Sequence, residues 1–117
     1  VVPSVNGKLQ GHAQRVQVPD GSVTELTTVL NTETTADEIN EAFKAAFSDT
    51  EYYATTMGIV SSDILGDTHG GVFDPTQTDV NTIDGVTLAR TVSFYDNEYG
   101  FTSNMIRTLL YFAEISE

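Results

Sequence analysis

The chain has no cysteine and no tryptophan, only five lysines and arginines, and only two histidines, His12 and His69. Without cysteine, these residues hold no disulfide, no thiolate metal site and no cysteine nucleophile. That leaves the compartment open, with a reducing cytoplasm the favoured expectation. Five cations against seventeen acidic groups give a formal charge of −12. Nucleic acid and anionic membranes both call for a basic footprint, so neither is an expected partner. The acidic balance itself reads as solubility. No apolar run approaches the roughly 18 residues of a membrane span, and no signal-peptide pattern opens the chain. Phosphate-cradling glycine loops and the dinucleotide fingerprint are absent too. Neither Ser61 nor Ser62 stands in a nucleophile elbow.

What is present suits one α+β domain. The length of 117 residues and 39% apolar content allow a modest core. The opening, Val1 to Val5, has no initiator methionine and reads like the end of an element cut before the chain has built anything. After the turn signal Asn6-Gly7, the pattern predicts a strand over Ala13 to Val18, closed by Pro19-Asp20-Gly21. A second strand is predicted over Ser22 to Leu30, with Leu26 and Leu30 on one face and Val23 and Val29 on the other, hence at least partial cover on both sides. Thr35-Ala36-Asp37-Glu38 has the form of a capping box, and Ile39, Ala42, Phe43, Ala46 and Phe47 make one stripe, so a helix is expected over about 36 to 48. A short strand or irregular segment follows within Glu51 to Gly58, then a loop from Ile59 to Gly71 and a short strand at Val72 to Asp74. Asp84-Gly85 joins Thr78–Ile83 to Val86–Tyr95 as a two-residue hairpin. Strands and helices in mixed order point to a layered α+β structure.

Ser93 to Phe101 is the pivot of the pattern. Up to Phe94 the chain alternates with period 2, Arg90 being the single charge on the apolar side. From Met105, the residues Ile106, Leu109, Leu110 and Ala113 recur at helical spacing. Strand-to-helix junctions at the C-terminal end of a strand are where ligands tend to sit. Asn97 can serve there as a helix cap or as a ligand contact, and composition does not separate the two. Tyr95, Tyr99 and Phe101 read as packing residues. Arg15, a lone guanidinium within a predicted strand, calls for an ion-pair partner or for an anion held in its bidentate fork. Asp63, Asp67, His69 and Asp74 fall within twelve residues but match no EF-hand spacing, so a solvated acidic loop is expected rather than a calcium site.

Four segments, taken together and in order, carry a resemblance: Val2-Pro3-Ser4-Val5-Asn6-Gly7-Lys8-Leu9, Gly11-His12-Ala13-Gln14-Arg15-Val16, Val60-Ser61-Ser62-Asp63 and Tyr95-Asp96-Asn97-Glu98-Tyr99-Gly100. The chain resembles, from end to end, the C-terminal part of the catalytic domain of phosphorylating glyceraldehyde-3-phosphate dehydrogenase. The resemblance implies a mixed, mostly antiparallel sheet with helices on one face and a final helix returning toward a cofactor domain. It also implies a cytoplasmic, homotetrameric glycolytic enzyme that uses NAD and inorganic phosphate to convert glyceraldehyde 3-phosphate to 1,3-bisphosphoglycerate. Arg15 matches the family's phosphate-binding arginine, which favours the anion over the ion pair. Asn97 matches the asparagine that fixes the nicotinamide carboxamide.

The family's nucleophilic cysteine, its catalytic histidine and its dinucleotide-binding domain have no counterpart here, and His12 and His69 do not match that histidine. The 117 residues are therefore expected to be inactive alone and to act with a remainder of the enzyme chain. Phe94 and Phe101 stand where many members have tryptophan and tyrosine. Erythrose-4-phosphate dehydrogenase shares much of the pattern, and a noncatalytic acidic interaction module is the alternative of a different class.

Overall fold

The computed structural model describes residues 2–48 and 50–116; Val1, the first residue of the opening segment, lies outside them. Its elements are β1 (Ser22–Leu30), α1 (Ala36–Phe47), β2 (Tyr52–Ala54), β3 (Gly71–Phe73), β4 (Asp79–Ile83), β5 (Val86–Tyr95) and α2 (Tyr99–Glu114). Three short 3-10 turns sit at Pro3–Val5, Ser61–Ile64 and Pro75–Gln77.

The ten-residue β5 is the spine. On one edge it pairs with β1 along its whole length, from Ser22 opposite Tyr95 to Leu30 opposite Thr87. On the other edge it takes β4 first, from Ile83 opposite Val86 to Asp79 opposite Arg90, and then β3, with Val72 opposite Phe94. β2 extends the sheet by pairing parallel to β3. All other pairings are antiparallel, so the sheet is mixed and mostly antiparallel, and the fold is α+β. The β4–β5 turn forms as its residues dictate: Asp84 and Gly85 both hold positive φ, 51° and 76°, which suits the right-handed twist of the flanking strands.

Each face of β3 and β5 is filled differently. On one, Val72, Val92 and Phe94 are buried together with Ile64, and Ile59 packs against them. On the other, α1 lies across Phe73, whose ring is wholly buried and stacked on Phe43 at 4.3 Å, with Phe47 edge-on at 6.5 Å. The capping box forms in full: Thr35 Oγ1 accepts from the Glu38 amide and the Glu38 carboxylate accepts from the Thr35 amide. Asn40 ties α1 to the turn after β3, donating to the Pro75 carbonyl and accepting from the Thr78 hydroxyl.

Three expectations need correcting. No strand forms over Ala13 to Val18, which is exposed and without regular structure. Alternation makes a strand only where a neighbour takes its N–H and C=O groups; the outer edge of β1 stays open, but this segment does not pair with it. β1 lies where expected but its cover is slight on both faces, since Val23 and Val29 on one are 49% and 69% exposed and Leu26 on the other is 41% exposed. The apolar stripe of α2 is likewise uncovered: Met105, Ile106, Leu109 and Leu110 are all exposed. This helix rests on the loop before β3, where the Arg107 guanidinium donates to the Thr68 carbonyl.

Candidate functional site

β5 ends at Tyr95 and α2 begins at Tyr99, so Asp96, Asn97 and Glu98 turn the chain. Asp96 anchors the turn. Its side chain is 2% exposed. Oδ1 accepts from the amides of Glu98 at 2.9 Å and Tyr99 at 2.6 Å, and Oδ2 accepts from the Gly66 amide at 2.9 Å. Burial alone would raise the Asp96 pKa. The donors, led by the Tyr99, Gly66 and Glu98 amides, outweigh burial and hold it below the ordinary aspartate value.

Asp96, rather than Asn97, therefore satisfies the first amides of α2. The capping reading of Asn97 is replaced by a different arrangement. Asn97 is exposed, and its Oδ1 accepts from the Ser22 hydroxyl at 2.6 Å. Among the described residues, no side chain or carbonyl takes its amide hydrogens. Ser22 opens β1 beside the end of β5, where Gly21, at φ +91°, lets the backbone pass close to the carbonyls of Ser61 and Tyr95.

Asp20, Asp96 and Glu98 bring one carboxylate oxygen each to within 4.8 Å of one another. Glu98 is pushed above its ordinary value by a hydrogen bond with Asp20, by burial and by the charges of Asp20 and Asp96. The trio offers oxygen ligands of the kind hard cations take, although exposed acidic groups stand together without a cation as well.

On the other side of the turn, Gly100 is buried against the loop at 66–70, so close that a Cβ would stand 2.9 Å from the His69 carbonyl oxygen. The His69 Nδ1 lies 2.8 Å from Asp67 Oδ1, and its ring packs at 5.4 Å from Tyr53. Asp74 is taken up elsewhere. Burial works against its charge, but Gln77, Thr76 and Ile59 donate to it and keep its pKa low. Asp63 accepts from the Val60 amide. Of the four, Asp67 and His69 meet, whereas Asp63 and Asp74 accept hydrogen bonds elsewhere.

Arg15 sits in the exposed segment ahead of β1, and among the described residues no ion pair or side-chain hydrogen bond involves it. The structure does not join it to Asn97 by any such contact. Tyr95, Tyr99 and Phe101, expected as packing residues, are 38%, 59% and 71% exposed. Sequence reasoning did not single out Ser22 or Asp96. An Asp three residues ahead of a helix start is a turn-forming signal, but no local pattern links Ser22 to a residue 75 positions later.

Comparison with known proteins agrees with the architecture. The family model described as "Glyceraldehyde 3-phosphate dehydrogenase, C-terminal domain" matches residues 1–97. A protein named "Glyceraldehyde-3-phosphate dehydrogenase" from Lactobacillus delbrueckii subsp. bulgaricus is 54% identical over 115 residues, 98% of this chain and 34% of the relative. Proteins of the same name from Streptococcus pyogenes and Streptococcus dysgalactiae subsp. equisimilis are each 53% identical over 117 residues, all of this chain and 34% of theirs. The chain thus spans about a third of the length of these relatives. With its α+β fold and this identity along its whole length, the chain belongs to the glyceraldehyde-3-phosphate dehydrogenase family, and matches that family's C-terminal domain.

Proposed function

We propose that these residues form the C-terminal part of the catalytic domain of a phosphorylating, NAD-dependent aldehyde dehydrogenase that converts glyceraldehyde 3-phosphate and inorganic phosphate to 1,3-bisphosphoglycerate. In this reading the dinucleotide-binding domain and the nucleophilic cysteine belong to a part of the enzyme outside these residues, and the chain alone has no dehydrogenase activity. The intact enzyme is a cytoplasmic homotetramer. Among the geometric facts, the exposed carboxamide of Asn97 carries the proposal: it stands at the C-terminal end of β5 with its oxygen engaged by Ser22 and, among the described residues, no partner for its amide hydrogens.

That carboxamide fits one task in cofactor binding, a hydrogen bond to the carboxamide on the nicotinamide ring. NAD, when bound, supplies the acceptor for a hydride. Asn97 limits rotation of the ring and keeps one face toward the substrate, which matters because hydride transfer needs donor and acceptor close and aligned. Asp96 gives that contact a rigid base by locking the backbone on either side of the turn. Arg15 presents guanidinium donors suited to phosphate oxygens, which supports its assignment to the phosphate of the substrate or to the attacking phosphate.

Two substitutions in an intact enzyme carrying these residues test the assignment. Arg15→Ala is expected to raise the concentration of phosphate and phosphorylated aldehyde required by about 10- to 150-fold, the equivalent of one charge-assisted contact, with the NAD requirement little changed. An equal loss toward all ligands would argue against the role. Asn97→Ala is expected to weaken NAD use with stability changed by no more than about 0.5 kcal/mol, as for other exposed positions. Comparing glyceraldehyde 3-phosphate with erythrose 4-phosphate as substrates of the same preparation decides between the two dehydrogenases.

A further inference from the structure

A primary carboxamide has an accepting end and a donating end of nearly equal size, so an exposed Asn on a turn can rotate and offer either one. In Asn97 the accepting end is engaged. The Ser22 hydroxyl donates to Oδ1 at 2.6 Å, and both partners are attached to hydrogen-bonded backbone. Ser22 is the Cα partner of Tyr95 at the end of the β1–β5 ladder, and the residue before Asn97 is fixed by three backbone amides. Oδ1 is thereby occupied by the protein, and Nδ2 is left without a partner among the described residues.

We infer that Ser22 is a positioning residue for cofactor binding: it sets the Asn97 carboxamide so that Nδ2 donates to the carbonyl oxygen of the ligand's carboxamide. The inference rests on the role proposed for Asn97. A serine hydroxyl suits the task because it is short enough to fit between a strand end and a turn. Without it the carboxamide turns over freely and presents its acceptor to the ligand's carbonyl for part of the time, a repulsive pairing. The contact is then lost in that fraction of molecules, although Asn97 is still present.

The test uses an intact enzyme carrying these residues, with steady-state constants for NAD, aldehyde and phosphate and melting temperatures for Ser22→Ala, Ser22→Thr, Asn97→Ala and the double variant Ser22→Ala/Asn97→Ala. Ser22→Ala is expected to raise KM for NAD by about three- to tenfold, the range of one neutral hydrogen bond, with the KM values for aldehyde and phosphate within about twofold. Ser22→Thr, which keeps the hydroxyl and favours a strand, is expected to restore the NAD constant. On the Asn97→Ala background the Ser22 change should have no further effect on NAD, since a residue acting through Asn97 has nothing left to orient. If Asn97→Ala weakens NAD use and Ser22→Ala lowers only the melting temperature, or the two losses simply multiply, the positioning role is overturned and the role of Asn97 stands. If Asn97→Ala leaves NAD use untouched, both are overturned.

Discussion

A carboxylate at 2% exposure keeps its charge only if fixed donors replace the water it has lost, and three backbone amides do so for Asp96. The consequence for stability has a definite sign. The folded pKa lies below the unfolded one, so the folded state binds this proton less readily than the unfolded chain. The contribution is fully present above the unfolded aspartate value, about 4, and is lost as pH falls through the lower folded value. Asp74, also depressed, acts in the same direction. Asp96→Asn, which keeps the shape but leaves only one oxygen to accept, is expected to lower stability at neutral pH and to flatten the decline below pH about 4. Urea midpoints across the acid range check this; an acid slope identical to that of the parent would contradict it. Asp96 and Asn97 are neighbours and both are competent caps, so which side chain turns toward the helix amides was not legible in the sequence. The choice falls to Asp96 because Gly66 arrives from a distant loop to complete its coordination.

At the scale of elements, local signals were reliable wherever each residue's partner was close along the chain. The capping box defined the start of α1, and Asp84-Gly85 defined the β4–β5 hairpin, with β4 beginning one residue later than expected. The segment over Ala13 to Val18 failed because its alternation is only a local propensity, and the segment does not pair with the open edge of β1. For α2, position depends on Gly100. An alanine in a helix ordinarily gains up to about 1 kcal/mol over glycine. Here the added Cβ would press to 2.9 Å of a backbone oxygen, that of His69, which has no flexible end to move aside. Gly100→Ala is therefore expected to destabilise by about 1–3 kcal/mol, the usual cost of overpacking. Thermal or denaturant melting checks the sign; a more stable variant would mean that α2 does not sit against the 66–70 loop.

The whole molecule exposes more surface than its mass warrants. A folded monomer of 12.7 kDa is expected to expose about 6,200 Å², whereas this chain exposes 8928 Å². Its radius of gyration, 16.2 Å, exceeds the roughly 13 Å of a compact chain of this length. The excess is apolar in several places: Val23 and Val29 on β1, the stripe of α2 from Phe101 to Phe112, and Leu9 and Val16 in the segment ahead of β1. These are the faces expected to be covered if the remainder of the enzyme lies against them. In isolation the 117-residue chain is expected to self-associate at high concentration despite its charge, more so as salt screens that charge. Sedimentation or light scattering over a range of concentration and salt checks this, and monodisperse monomers throughout would contradict it.

The sequence by itself determined what is decided between near neighbours: the capping box of α1, the hairpin turn and the ordered motifs that indicate the family; which side chains of β5 are buried it did not, since Thr87 and Ala89 are buried while Val86 and Leu88 are exposed. It also brought Arg15 and Asn97 forward as candidates, through the motifs around them. Only the tertiary structure decided which candidates acquire partners. Ser22 reaches Asn97, and Gly66 reaches Asp96, because β1, β5 and the loop before β3 meet at one end of the sheet, and pairings that span 75 and 30 positions leave no periodic trace in the chain. Local signals record propensity and turn geometry, whereas a site is a meeting of distant segments, and that meeting is set by the strand register.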